Sequence, residues 1–273
     1  MGGTPIRRRQ ELRSSEASEG SVCGLPCRKR KREGAQQRSF RRKRLRPAVQ
    51  ANINLHFKET GMNVAYDKDN KERVPFEHYK EEYRKKDPLE ISSRTGFPYS
   101  EERSCFTVSF LGKDYEIGFP EFTVVALKEN TDWCPLTEMT AAQILVIRFL
   151  TEGCQVSGTG KFLTYREIPW GEVYYRQFNG RCMMRLAFSF GNRLDVFCRA
   201  LSNMGAREIE AGDAGYEIEL FRGFFIRFQL WEGDEEFPPS AQILFSDNFP
   251  AAFHAEDLVV ACDIIISTMK NYS

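Results

Sequence analysis

The segment 216–230, YEIELFRGFFIRFQL, decides the fold that this sequence predicts. Apolar residues occupy every second position on both sides of Arg222-Gly223, at Tyr216, Ile218, Leu220, Phe224, Ile226, Phe228 and Leu230. Alternation with a period of two indicates strands that bury one face, and a glycine-containing turn between two such runs indicates a hairpin. We therefore predict two antiparallel strands joined at Arg222-Gly223.

The rest of the chain extends this pattern into a mixed fold. A second hairpin is predicted around the turn 111–114, because alternating apolar residues run from 105 to 119. Further strands are predicted at 122–127 and 241–245. Helical spacing of apolar or charged residues predicts helices at 75–87, 172–189, 192–204 and 255–270.

One more helix has both of its ends marked in the sequence. Thr140 and Gln143 have the spacing of a capping box, and Gly153 is typical of a residue that ends a helix. Because the strands come in hairpins and are partly segregated from the helices, we predict an α+β fold. In this fold antiparallel hairpins form a sheet packed against helices, in a single compact domain, and a doubly wound parallel sheet is not favoured.

Charge divides the chain into two parts. The 273 residues carry a formal net charge of +1, but 16 of the 39 Lys and Arg and only 5 of the 38 Asp and Glu lie in residues 1–61. Residues 1–61 therefore carry a charge of +11 and residues 62–273 a charge of −10. We predict one globular α+β domain over 62–273. Residues 1–61 are predicted to be a basic, low-complexity segment that is disordered or is a mis-called upstream extension.

Two interpretations of residues 1–61 stay open. Clustered arginines neutralise phosphates and are typical of a nucleic-acid-binding arm or a nuclear localisation signal. Alternatively, Lys58-Glu59 can be encoded by a ribosome-binding sequence, and its position just ahead of Met62 favours a translation start there. Under that second interpretation nucleic acid is not an expected partner, since a body with a charge of −10 repels phosphate.

The cysteines and histidines predict neither a metal site nor a disulfide framework. Eight cysteines and three histidines are scattered along the chain without a Cys-x-x-Cys pair. The sequence shows no secretory signal and no apolar run of about 18 residues. We therefore expect a cytoplasmic protein with reduced thiols, no membrane association and no cofactor of its own.

The segment 156–168, VSGTGKFLTYREI, is the first candidate for a binding loop. Its glycines and lysine are similar to a phosphate-binding loop, but Gln155 replaces the first glycine and Phe162 replaces the Ser or Thr that would hold magnesium. The alternative is a structural connection from a helix to a strand. The candidate residues for binding a carboxylate or phosphate are Gly158, Gly160, Lys161, Arg166 and Glu167.

The segment 231–239, WEGDEEFPP, is the second candidate, because it places four carboxylates within five residues. Such an oxygen-rich loop can hold a divalent metal or supply a general acid and base, although the spacing of an EF-hand is absent. The alternative is a solvated turn at Gly233-Asp234, with Trp231 packed in the core. A smaller turn is predicted at Gly212-Asp213. The candidate residues here are Asp213, Trp231, Glu232, Asp234, Glu235 and Glu236.

At these residues the chain resembles an uncharacterised bacterial and archaeal family, the domain of unknown function 3786. The resemblance rests on the stretches 158–178, 212–213, 231–245 and 254–258, of which WEGDEEFP is the most specific. It implies a cytoplasmic protein of strict anaerobes, and some members are joined to a four-cysteine iron–sulfur domain similar to one in corrinoid proteins of one-carbon metabolism. This chain lacks such a cysteine cluster, so an iron–sulfur cluster would belong to a separate partner protein. The family has no established catalytic residues.

The leading hypothesis is a non-enzymatic accessory module that binds a ligand or partner, linked to anaerobic iron–sulfur or corrinoid one-carbon metabolism. We expect the loops 158–168 and 231–239 to line one recognition face. The cations of the first loop would bind acidic groups, and the carboxylates of the second would bind cations or a basic partner. One alternative is a metal-dependent or carboxylate-using enzyme with the 231–239 loop at its site. Another is nucleic-acid binding through residues 1–61.

Overall fold

The structure is a computed structural model that describes residues 70–127 and 133–272. The predictions for residues 1–61 lie outside the described residues. The helices are α1 (Asn70–Arg84), α2 (Pro88–Thr95), α3 (Pro135–Glu138), α4 (Thr140–Glu152), α5 (Gly171–Phe178), α6 (Met184–Phe190), α7 (Leu194–Asn203), α8 (Phe249–Ala252) and α9 (Ala255–Asn271). The strands are β1 (Tyr99–Ser100), β2 (Cys105–Phe110), β3 (Lys113–Gly118), β4 (Val124–Ala126), β5 (Phe162–Thr164), β6 (Arg207–Glu208), β7 (Ala214–Phe221), β8 (Phe224–Trp231) and β9 (Ser240–Ser246).

These strands form one antiparallel sheet, which confirms the predicted α+β fold. Their order is β4-β3-β2-β7-β8-β9-β5, with β1 added beside β2 and β6 beside β7. Strands β2 and β7 are paired only through Phe110 and Phe221, next to a change of register in β7. Both predicted hairpins, β2–β3 and β7–β8, are present.

The β7–β8 hairpin has the tight turn that its sequence predicts. Phe221 pairs with Phe224, so Arg222 and Gly223 alone make the turn. Gly223 has a φ of +84°, which favours glycine because a side chain is strained in that region. A bulge at Leu220 then shifts the register by one residue, because Phe221 pairs with Phe224 but Glu219 pairs with Phe225.

The helices cover one face of this sheet, and an aromatic core lies between the two layers. In β8 the residues that face the helices are fully buried, whereas their neighbours on the opposite face are only half-buried. Phe149 of α4 stacks on Phe221 of β7, with ring centroids 4.6 Å apart, and Phe253 stacks on the same pair. The face of the sheet away from the helices is therefore the surface on which polar residues are placed.

Two details of the helices differ from the prediction. The capping box at Thr140 is wrong: α3 ends at Glu138, so the extended Met139 is the N-cap and Thr140 already lies inside the helix. Gly153 ends this helix as predicted. The predicted helix 172–189 is interrupted by a π-helical turn at Asn179–Met183. None of the helices in the described ranges is long and apolar enough to cross a bilayer.

Candidate functional site

A row of charged side chains crosses the face of the sheet that the helices leave uncovered. Arg207 of β6 pairs with Glu217 of β7, and Glu217 pairs with Arg227 of β8. Directly paired residues of an antiparallel sheet project from the same face. The three side chains therefore lie side by side, with the carboxylate between two guanidinium groups.

Glu217 is bound on both sides. Its Oε1 accepts a hydrogen bond from Arg207 Nη2 at 2.6 Å, and its Oε2 accepts one from Arg227 Nε at 2.8 Å. Only 8% of Glu217 is exposed. Burial by itself raises the pKa of Glu217, but the hydrogen bonds and positive charges of the two arginines outweigh it and lower the pKa. Glu217 is therefore ionised at neutral pH, and it holds both arginines in place.

These arginines line a cleft of about 480 Å³ on the sheet face. The Arg227 guanidinium lies 3.6 Å from the centre of the Phe162 ring, close enough for a cation–π contact. Phe225 of β8 and Ser246 of β9 form part of the lining, together with the loop residues Gln155, Ser157, Gly158 and Gly160. The cleft thus combines positive charge, aromatic surface and a glycine-containing loop.

Side chains beyond the end of β9 hold this loop over the cleft. Asp247 accepts hydrogen bonds from the Thr159 N–H, at 2.9 Å, and from the Thr159 hydroxyl. The Asn248 amide donates to the carbonyls of Val156 and Gly223 at 2.8 and 2.9 Å. The hydrogen bonds from Thr159, and the nearby charge of Lys161, lower the pKa of Asp247. The loop is therefore the structural connection from α4 to β5, and it is also anchored at the cleft.

A second cleft, of about 430 Å³, lies at the edge of the sheet beside the first half of β9. Its lining includes Thr164, Tyr165 and Arg166 from the end of the first predicted loop and Trp231 from the start of the second. The Arg166 guanidinium stacks 3.9 Å from the centre of the Tyr175 ring, and its Nε lies 3.5 Å from a carboxylate oxygen of Glu172. The prediction that Trp231 packs in the core is wrong, because it follows the buried Leu230 in the alternation of β8 and so lies on the opposite, half-exposed face.

The two predicted loops lie at opposite ends of β9, so they do not line one continuous face. The glycine loop is anchored at Asp247 and Asn248, beyond the last residue of β9, whereas the acidic loop ends directly before Ser240. The seven residues of β9 separate them by roughly 20 Å, at about 3.3 Å per residue. Of the predicted site residues, Arg166 and Trp231 line the same cleft, at the adjoining ends of their loops.

Three of the predicted site residues stabilise turns. Glu167 Oε2 accepts hydrogen bonds from the Thr164 N–H and hydroxyl at 2.7 and 2.8 Å, which lower the pKa of Glu167. Asp234 Oδ1 accepts from the N–H groups of Phe237 and Glu236, which lower its pKa in the same way. Asp213 Oδ2 accepts from the Glu232 N–H at 2.8 Å and joins the two turns.

The remaining candidates are exposed side chains. Lys161 lies at the surface, outside the lining of either cleft. The side chains of Glu232, Glu235 and Glu236 are exposed in the acidic loop. Within residues 70–127 and 133–272, no group of three or more His, Cys, Asp or Glu side chains is placed to hold a metal ion. The acidic loop is thus a surface of negative charge.

The residues that form the first cleft were missed at the sequence level, although a signal for them exists. Glu217 and Arg227 each alternate with buried apolar residues in the predicted hairpin. A tight turn at Arg222-Gly223 alone would oppose Arg227 to Ile218, and only the bulge at Leu220 brings Glu217 opposite Arg227. A charged pair at positions that alternate with apolar residues indicates a polar row on the open face. Phe162 and Arg207 have no such signal, because their strands join this face only through tertiary pairing, and Phe225 is an apolar residue on the open-face side of the alternation in β8.

The comparisons with known proteins agree with the resemblance seen in the sequence. The model of one family, described as a domain of unknown function (DUF3786), matches residues 87–268. No curated protein matches the chain, and no solved structure does. The matched range includes both clefts and every strand of the sheet. The chain therefore belongs to the DUF3786 family, whose function is unknown.

Proposed function

We propose that this protein is a non-enzymatic binding module that takes an anionic ligand into the cleft of Arg207, Glu217 and Arg227. One observation is decisive for this proposal: a nearly buried carboxylate holds two guanidinium groups at the mouth of a cleft that also has an aromatic lining. The three groups carry a net charge of +1, so the cleft attracts anions on a body whose total charge is negative.

The arginines keep most of their donors available for a ligand. A guanidinium has five N–H donors, and Glu217 receives one hydrogen bond from each arginine. The Arg207 side chain is 69% exposed, so its free donors face solvent. Glu217 already fixes the positions of both guanidinium groups. Binding of an anion therefore costs little side-chain entropy, because the two arginines are ordered before the anion arrives. Carboxylates and phosphates are the anions that match this fork of donors.

The size and lining of the cleft indicate a small molecule with a flat or apolar part. A volume of about 480 Å³ falls in the range of small-molecule sites, roughly 300–1,000 Å³. Phe225 and Phe162 provide ring surfaces beside the charged row. The ligand class that fits best is an aromatic or apolar carboxylate or phosphate.

The proposal includes an accessory role beside a partner protein. The resemblance to the DUF3786 family supports a cytoplasmic module that acts with a separate iron–sulfur or corrinoid protein of one-carbon metabolism. In that setting the anionic group belongs to a small metabolite or to the partner's cofactor. This part rests on the family resemblance, whereas the anion cleft rests on the geometry.

Calorimetric titration of the full chain with phenyl phosphate, benzoate and inorganic phosphate tests the cleft. We expect the aromatic anions to bind more tightly than phosphate, and Arg207→Gln to weaken them about tenfold, since one charge-assisted hydrogen bond contributes about 1.5–3 kcal/mol. Arg199→Gln is the matched control, because Arg199 is an exposed, ion-paired arginine on α7, outside the cleft. Equal affinity of the Arg207 variant and the wild type, or no heat with any of the three anions, would contradict the proposal.

A further inference from the structure

Within the described residues, strand β9 is paired on its outer side along only half of its length. Strand β5 pairs with Leu244, Phe245 and Ser246. On the same side of Ser240–Ile243 no strand of the described residues is paired, although β8 pairs with this half from the other side. The uncovered half is four residues long, about 13 Å at 3.3 Å per residue.

The chain itself ends β5 at this point. Thr164 is the last residue of the strand. Its N–H and its hydroxyl both donate hydrogen bonds to the Glu167 carboxylate. The next residue, Tyr165, turns into the core, where its hydroxyl donates to the Ala255 carbonyl at 2.9 Å. The backbone therefore leaves the sheet before it can cover Ile243.

An uncovered strand edge is a template for another strand. In an antiparallel pair, alternate residues direct their N–H and C=O groups away from the partner, so two of the four residues in Ser240–Ile243 direct theirs toward the open side. The second cleft lies along this edge, and its lining includes Ala241, Gln242 and Ile243. Phe178 and Met183 form its apolar part, and Arg166 on Tyr175 borders it.

Negative charge lies at the start of this edge, whereas Arg166 at the border of the cleft is paired with Glu172. The acidic loop connects Trp231, which lines the cleft, to Ser240, the first residue of the open half. Its exposed carboxylates Glu232, Glu235 and Glu236 therefore lie at one end of the edge. A segment that extends the sheet here would meet apolar surface along the strand and several carboxylates where the strand begins.

We infer that the open half of β9 binds an extended segment of a partner polypeptide by strand addition. The segment adds a strand beside Ser240–Ile243, places an apolar side chain against Phe178 and Met183, and carries Lys or Arg residues next to the acidic loop. This site is separate from the anion cleft, so the inference goes beyond the proposed function and does not depend on it.

Selection from a phage-displayed dodecapeptide library on the full chain tests this inference. We expect enriched peptides with alternating apolar residues and at least two Lys or Arg at one end. A synthetic copy of the best peptide should bind the triple variant Glu232→Gln, Glu235→Gln, Glu236→Gln at least tenfold more weakly. The matched control is Glu101→Gln, Glu102→Gln, Glu138→Gln, which removes three exposed carboxylates elsewhere and should leave affinity unchanged.

Backbone methylation of the same peptide tests the strand pairing. N-methyl groups on one set of alternate residues should weaken binding at least tenfold, because they remove the N–H groups that pair with β9, whereas the other set should have little effect. Arg207→Gln should bind the peptide normally, which separates this result from the test of the anion cleft. The inference is overturned if no peptide binds saturably, if both triple variants bind equally, or if neither methylated set is weakened.

Discussion

The two faces of strand β8 differ although they belong to the same eight residues. Phe228 projects toward the helices and is fully buried, whereas Phe225 projects from the open face and is half-buried beside the anion cleft. The helix side holds aromatic rings that stack on one another. The open side holds a charged row and rings that remain in contact with solvent. One strand thus supplies both the core of the fold and the surface available for binding.

The difference follows from what each face is packed against. On the helix side, Phe149, Phe221 and Phe253 stack face to face, so a missing ring leaves a cavity that its neighbours cannot fill. On the open side, Glu217 and its two arginines are held by hydrogen bonds to one another rather than by stacked rings. The packed rings of the helix side therefore contribute mainly to stability. On the open side, the nearly buried Glu217 holds the two arginines in position.

The largest effect that we expect is a difference in the free energy of unfolding between alanine variants of a phenylalanine on each face. Phe228→Ala should lower the free energy of unfolding by about 3–5 kcal/mol, because it opens a cavity in a packed core. Phe225→Ala should lower it by only about 1 kcal/mol, since its ring is already partly in water. Urea denaturation followed by circular dichroism measures both, and equal losses would show that the open face is covered in solution.

A smaller effect is expected in how stability depends on pH. It concerns two buried carboxylates, one on each side of the sheet. Glu217 lies on the open face, and its arginines lower its pKa below the ordinary value of 4.5. Asp257 lies in the helix layer, where burial raises its pKa above the ordinary value of 3.8 in spite of the ion pair with Arg148. A lowered pKa stabilises the fold at pH values above the ordinary pKa, and this stability is lost as pH falls through the folded value. A raised pKa has the opposite effect: its contribution is present at low pH and is lost as pH rises.

Unfolding free energies measured between pH 3 and pH 7 test this difference. As pH rises, wild type should gain stability relative to Glu217→Gln and should lose stability relative to Asp257→Asn. Comparison with each variant at every pH removes the contribution of all other groups. If both differences change in the same direction, the two carboxylates do not have opposite environments.

The smallest effect concerns the boundary between the covered and uncovered halves of β9. Glu167→Ala removes the carboxylate that accepts from Thr164, so the end of β5 should open more often. Hydrogen exchange at the Thr164 amide should become faster, while exchange within the β7–β8 hairpin stays the same. Glu172→Ala is the control, because Glu172 is an exposed carboxylate that pairs with Arg166 and not with Thr164. Unchanged exchange at Thr164 would mean that another contact ends the strand.

Local patterns in the sequence predicted most of the fold. The alternation around Arg222-Gly223 predicted the β7–β8 hairpin, and helical spacing predicted α7 and α9 close to their observed bounds. The failures have local causes as well. Thr140 has the spacing of a capping box, but the preceding helix α3 moves the start of α4 by one residue. Trp231 is a large apolar residue, but its place in the alternation of β8 directs it away from the core.

The candidate site was predicted only in part. The sequence identified Gly158, Gly160 and the acidic loop as unusual segments, and the structure places the glycines at the anion cleft and the acidic loop beside the open edge of β9. It did not identify Arg207, which joins Glu217 only because β6 pairs with β7. A charged residue on a short strand has no periodic pattern to mark it.

The sequence by itself determined most of the strands and helices and the place of the β7–β8 turn. These depend on interactions between residues close together in the chain, where side-chain period and turn residues are sufficient. Only the tertiary structure decided that the two loops lie at opposite ends of β9, that Phe162 meets Arg227, and that half of β9 has no partner on its outer side among the described strands. Those features depend on the order of strands in the sheet, which is set by the packing of the whole core rather than by any local pattern.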